Sequence, residues 1–343
     1  MTETTILRAK SPTDLLACVP MLLGFHPERS VVMLSTGPAR VPIHARVDLP
    51  ADAAADEEIE DLAEELAGVA YANGVLTVAV LLYTDDELLA HAVGTRLARH
   101  LGVARVELLT VVRADGARWF QHDEDGSLLP GHGTAYDLAT HPFTVQALVR
   151  GRVVHPSRAA LRDSLAPTHP ETLEQVRREA AAHEDRLSAA ARRPPGSPAP
   201  ARLREHLVAE GRWVQRRVRR FVDDRESLSA ADTGRLLTAL RTIEIRDVAW
   251  AEITHESVDR HVDLWRDVVR HSPRELLAAP AALLAFAAWI SGDGALAWCA
   301  VDRCHEADPG YSMAGLVTQT LAAAVPPRSW RPLDPGGLSL FAD

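Results

Sequence analysis

The chain has 343 residues, of which 47% are hydrophobic and 24% charged, and its formal net charge is −10. That length suits two ordinary domains with their own cores, and no apolar run reaches the ~18 residues a bilayer-spanning helix needs. Residues 1–165 carry 14 basic and 22 acidic side chains and the remainder 23 and 25, so the first half is a poor match for a phosphate backbone. The start, MTETTILRAK, lacks the basic-then-apolar layout of a secretory signal. Cys18, Cys299 and Cys304 have no metal-like spacing; an odd count in apolar contexts implies reduced, buried thiols in a cytoplasmic protein. Lys10 is the only lysine, and the arginine bias runs the whole length, as a GC-rich genome would produce.

Thr5 to Ala9 reads as a short first strand. Ser11-Pro12 is then a strong helix start, with serine at the cap, proline at the first helical position and Asp14 in the first turn. Leu15, Leu16, Val19, Leu22 and Leu23 form a helical stripe, interrupted by Pro20 and ended by Gly24. Ser30 to Ser35 reads as a buried strand, and Arg40 to Asp48 as a second strand with one wet face. Asp56 to Asn73 is an amphipathic helix with acid at its front, matched to the helix dipole. Val75 to Tyr83 is almost wholly apolar, which suits a central strand covered on both faces. Asp85 to Leu101 predicts a helix stopped by Gly102, Arg105 to Val112 another buried strand, and Ala117 to Gln121 a hairpin strand after the Asp115-Gly116 turn. Helices alternating with buried strands predict a layered α/β domain with a mostly parallel or mixed sheet, placed at 1–165.

The loop HDEDGSLLPGHGTAYD follows, then a short helix from His141-Pro142 ended by Gly151. From Thr168 onward only helices are predicted, giving an all-α helical domain at 166–331 and a tail at 332–343. The break Arg192 to Ala201, RRPPGSPAPA, is proline-rich and has no core of its own. Helices are expected at 170–191, 202–225, 229–241, 246–254, 256–270, 273–290, 293–306 and 311–324.

Most catalytic signatures are missing from the string. There is no phosphate loop, no nucleophile elbow, and none of His183-Glu184, His255-Glu256 and His305-Glu306 has the second histidine of a zinc-protease helix. No metal site and no cofactor is therefore assigned. Gly292-Asp293-Gly294-Ala295-Leu296-Ala297 matches a dinucleotide fingerprint as letters, but that fingerprint needs a preceding strand, and Leu283 to Ile290 reads as helix. The same residues, continued through Cys304 to Asp308-Pro309, resemble the latter half of a tetratricopeptide unit. No second copy occurs at a fixed period, so an ordinary helical hairpin is the simpler reading.

Two groups of side chains stand out. The first is the basic helix RWVQRRVRRFV, whose Arg212, Arg216, Arg217, Arg219 and Arg220 surround an apolar face of Trp213, Val214, Val218, Phe221 and Val222. These arginines suit an acidic protein partner or phosphates; the simpler reading is a solvated face that pairs with Asp223, Asp224, Glu226 or the acidic first domain. The second is the set of predicted strand ends, Ser35-Thr36-Gly37, Thr84-Asp85-Asp86 and Arg113-Ala114-Asp115, where ligands of parallel sheets sit. Thr84 and Asp85 also serve as the cap of the next helix. His26, Arg29, Asp85 and His132 are the candidates there for a small polar ligand or substrate, with a histidine as general base and arginine as anion clamp. In GFHPERS, Gly24 to Ser30, the turn itself explains Gly24, Pro27 and Ser30, and Phe25 is expected in the core. His26, Glu28 and Arg29 are left either to pair with one another or to face a pocket.

Three stretches, SPTDLLACVPMLLGFHPERSVVML, HPFTVQALVRGR and LLAFAAWISGDGALAWCAVDRCHEADPGYSMA, together resemble the domain of unknown function 4192 family, over about Ile6 to Trp330. The resemblance implies a cytoplasmic actinobacterial protein with an α/β front and a helical back, and carries over no catalytic residue. The leading expectation is a non-catalytic binding or regulatory protein with a protein partner and no membrane contact. An enzyme acting at the sheet edge, and nucleic-acid binding through residues 212–222, are the rivals.

Overall fold

The computed structural model describes residues 9–36, 43–123, 125–126, 131–149, 153–191 and 199–341. The expected strand at 5–9 falls almost wholly outside them, as do Gly37, Gly151 and most of the proline-rich break. The chain divides into two compact units, Met1–Ala160 and Leu161–Asp343.

The first unit is built on a mixed sheet of six strands: β1 (Ser30–Thr36), β2 (His44–Asp48), β3 (Thr77–Tyr83), β4 (Glu107–Ala114), β5 (Arg118–His122) and β6 (Thr134–Ala135), in the order β2-β1-β3-β4-β5-β6. Only β3 and β4 run parallel; the other four pairings are antiparallel. The apolar run of β3 does lie inside the sheet, with five of its seven residues buried. Helices α1 (Pro12–Leu23), α2 (Asp56–Ala72), α3 (Glu87–Val103) and α4 (Pro142–Val149) accompany it.

The start of α1 is a capping box. The Ser11 side chain accepts from the Asp14 N–H, and the Asp14 carboxylate accepts from the Ser11 N–H. Gly24, at φ 74°, ends the helix. Alternation along the strands sends Val31, Met33, Val78, Val80, Leu82 and Val111 to one face, into a core with Ile59, Leu62 and Leu66 of α2 and Leu89, Val93 and Leu97 of α3. α1 lies on the other face, where Trp119 Nε1 donates to Thr13 Oγ1 at 3.1 Å.

Two details differ from the sequence reading. Gly102 does not stop α3; the helix runs through it to Val103, and Arg105 takes the positive φ of 57° that turns the chain into β4. The cap of α3 is Asp86, whose carboxylate accepts from the Leu89 N–H, while the Thr84 hydroxyl accepts from Asp86 N–H.

The second unit is helical, and the start of α5 (Arg158–Asp163) lies just before its boundary. It continues through α6 (Pro170–Ala191), α7 (Ala199–Asp224), α8 (Ala230–Ala239), α9 (Ile243–Ala251), α10 (Val258–Arg270), α11 (Ala278–Ser291), α12 (Gly294–Ala307) and α13 (Ser312–Ala322). α11 is apolar all round and is buried without interruption from Ala279 to Ile290, as a central helix must be. It packs on α10, α12 and α13. Gly292, at φ 83°, and Asp293, whose carboxylate accepts from the Leu296 N–H, join α11 to α12 as a helical hairpin. The residues before Gly292 are thus helix rather than strand. The tail returns to the unit: Trp330 stacks on Trp250 and Leu340 is buried. No helix among the described residues is long and apolar enough to cross a membrane.

Candidate functional site at the carboxyl edge of the sheet

The strand register places the predicted strand ends. Ser30 pairs with Tyr83 and Tyr83 with Ala114, so the start of β1 shares an edge with the carboxyl ends of β3 and β4. Thr36 pairs with Thr77, which puts the end of β1 at the opposite edge. GFHPERS, Thr84-Asp85-Asp86 and Arg113-Ala114-Asp115 therefore lie along one edge, and Ser35-Thr36 does not.

Within GFHPERS the Arg29 side chain and several main-chain groups are taken up by the backbone around them. Arg29 sits at φ 39° and donates from Nη2 to the carbonyls of Pro50 and Ala51, at 3.2 and 2.9 Å. The His26 N–H donates to the His155 carbonyl, and the His155 N–H to that of Gly24, closing a two-strand bridge at Phe25. Phe25 is buried at 2% exposure. His26 and Glu28 are exposed, and neither pairs with the other or with Arg29 among the described residues. Asp85 is exposed beside the cap. His132 is exposed as well, and its carbonyl accepts from Arg118 Nη1 at 3.0 Å. No hydrogen bond or ion pair joins any two of His26, Arg29, Asp85 and His132 among the described residues.

The edge instead gathers chemistry on its two faces. On the α1 face, His141 Nε2 lies 3.1 Å from Asp14 Oδ1. Burial pushes the Asp14 carboxyl up, but hydrogen bonds from Lys10 N–H, His141 and Ser11 outweigh it and leave the pKa below the ordinary value. The Tyr83 hydroxyl is buried without a partner, and burial holds its pKa well above the ordinary phenol value.

On the α3 face stand Arg113, Phe120, His122, His91 and Glu87. The Arg113 guanidinium lies 3.9 Å over the Phe120 ring, with 5% of the residue exposed. Among the described residues its nearest carboxylate oxygen, Oε2 of Glu87, is 3.8 Å from Nη2, too far for a hydrogen bond, and its Nε is buried without an acceptor. His122, 2% exposed, has Nδ1 at 3.0 Å from the Gly126 carbonyl oxygen. A carbonyl only accepts, so Nδ1 carries the proton and Nε2 of the neutral ring carries the lone pair. That Nε2 is buried without a partner, as is Nδ1 of His91. Burial first, then Arg113 and His91 beside it, pulls the His122 pKa below its ordinary value against the Gly126 hydrogen bond. A glycine pair fixes the loop: a Cβ on Gly126, at φ 80°, would meet the Gly94 carbonyl carbon at 2.3 Å. The signal in sequence was Arg113 itself, a cation ending the apolar run LLTVV; its neighbours come from α3 and β5 and were not legible.

In the helical unit the five candidate arginines, Arg212, Arg216, Arg217, Arg219 and Arg220, divide. Arg217 is buried and donates to Asp232 and to the carbonyls of Glu226 and Ser227. Arg219 makes two hydrogen bonds to the Glu252 carboxylate, at 2.7 and 2.9 Å. Arg220 is exposed and only 4.0 Å from Glu226. Arg212 and Arg216 are exposed and have no ion pair among the described residues. Glu226 was foreseeable as a partner; Asp232 and Glu252 reach α7 through packing alone. Among the described residues no group of three or more His, Cys, Asp or Glu is arranged to hold a metal ion.

Fold and side chains together define a two-unit protein, a mixed α/β sheet followed by a helical unit. The family model described as domain of unknown function (DUF4192) matches residues 12–328, nearly the whole chain, and the chain belongs to that family. No curated protein and no solved structure matches it.

Proposed function

We propose that the chain is a cytoplasmic, non-catalytic binding or regulatory protein that engages an acidic protein partner through α7. One observation carries this reading: Arg212, Arg216 and Arg220 are exposed and spaced four residues apart, on one helical stripe, whereas Arg217 and Arg219 are tied to acceptors of the unit itself. The stripe spans about 12 Å, which suits the acidic face of a helix better than a long phosphate track. The net charge of −10 weighs against a polyanion in the same direction. The α11–α12 hairpin, whose ending resembles a tetratricopeptide unit, supports the reading as a helical pair of the kind interaction modules use.

The test compares the wild type with the triple variant Arg212→Glu, Arg216→Glu, Arg220→Glu, its fold checked by circular dichroism. The wild type is expected to retain a cellular protein that elutes at raised salt, and the variant to lose it. Equal retention by both, or by neither, sinks the reading. A mobility shift of duplex DNA with a steep salt dependence would transfer the stripe to nucleic acid.

A further inference from the structure

We propose that Arg113, His122 and His91 form a site for a hydrogen-phosphate group in the α/β unit, a role separate from the α7 surface and not resting on it. The geometry points to an anion with a proton to give. Arg113 is a permanent cation, 5% exposed; among the described residues it has no hydrogen-bond acceptor and no carboxylate nearer than 3.8 Å, and its Nε is buried. Burying a charge this way is expensive unless something fills its donors. The two acids near it do not: Glu87 is 60% exposed, and the Asp115 carboxylate is committed to the N–H groups of Ala117 and Arg118.

The Phe120 ring holds the guanidinium plane from one side, leaving its edge to receive oxygen atoms. Beside that charge, on the same face of the sheet, His122 presents an acceptor rather than a donor, since Nδ1–H is spent on Gly126. A fully ionised oxyanion would meet a lone pair there. Dihydrogen phosphate, or a phosphate monoester with one proton, offers both P–O⁻ for Arg113 and P–OH for His122 Nε2. His91 adds a further unfilled ring nitrogen in the same group. The place fits the topology as well, because β3-α3-β4 is a parallel crossover and Arg113 and Glu87 flank its carboxyl edge.

The test uses the full chain with ¹⁵N-labelled histidine. Inorganic phosphate is titrated while the His122 Nε2 resonance and binding heat are followed, with methyl phosphate and sulfate as parallel probes. Phosphate is expected to bind saturably and to move His122 Nε2, with sulfate at least about tenfold weaker because it has no proton for that nitrogen. Methyl phosphate binding as well as phosphate would assign the site to monoesters; its exclusion would assign it to the free ion. Arg113→Gln is expected to abolish the response; should that variant not fold, the wild-type resonance decides alone. No movement of His122 Nε2 at millimolar phosphate, or equal binding of sulfate, overturns the proposal.

Discussion

His261 lies in α10 with 1% of its surface exposed and Nδ1 without a partner. Burial lowers its pKa from 6.5 to about 4, against a hydrogen bond with the Glu252 backbone. Above pH 6.5 the ring is neutral in both folded and unfolded chains and costs nothing. Between 6.5 and 4 the unfolded chain takes up the proton first, so stability falls as pH falls, by up to about 3 kcal/mol at the bottom of that window. Urea denaturation at pH 7 and pH 4.5 should show wild type losing more than His261→Gln; an equal loss removes His261 from the account. The same scale shows what a short string withholds. Gly24 as a stop, Pro27 as a breaker and Phe25 as core were legible in GFHPERS because each follows from backbone geometry or apolar bulk. The Arg29 partner was not, since the Pro50 and Ala51 carbonyls lie over twenty residues away and nothing local encodes them.

Elements were read best where a local rule decides them, as in the Ser11-Pro12 start of α1 and the apolar runs of β1 and β3. They were read less well where two local rules compete. Gly102 looked like a helix stop, yet the burial of Leu101 and Val106 at 0% and 4% carries the chain past it, and Arg105 pays the left-handed turn instead. β6, two residues long, has no apolar period to announce it. The tail is a matter of packing. Trp330 stacks on Trp250 at 5.6 Å and meets Phe286 edge-on at 5.0 Å, and its carbonyl lies 3.1 Å from His255 Nε2. Trp330→Ala should cost about 2–3 kcal/mol, less than a fully buried tryptophan because the residue is only partly buried. Limited proteolysis should then cut beyond Val325 well before the helices. Unchanged melting and an unchanged cleavage pattern would mean that the tail is held elsewhere.

At the scale of the whole molecule, a mixed sheet followed by helices could be read from alternation followed by helices alone. Strand direction could not: β1 has the same buried character whether it runs with β3 or against it, and the antiparallel outcome decides which loops share an edge. The three thiols close the matter of scale. All are buried, and burial raises Cys18 to about 11 and Cys304 to about 12, so thiolate is scarce at neutral pH. Cys18 belongs to the first unit and Cys299 and Cys304 to the second. The molecule thus carries its own unfolding clock, divided one to two between its parts. Native protein should resist an alkylating reagent. In rising denaturant, mass spectrometry should count adducts of one, two or three, and the order in which those masses appear reports whether the units open together or in turn.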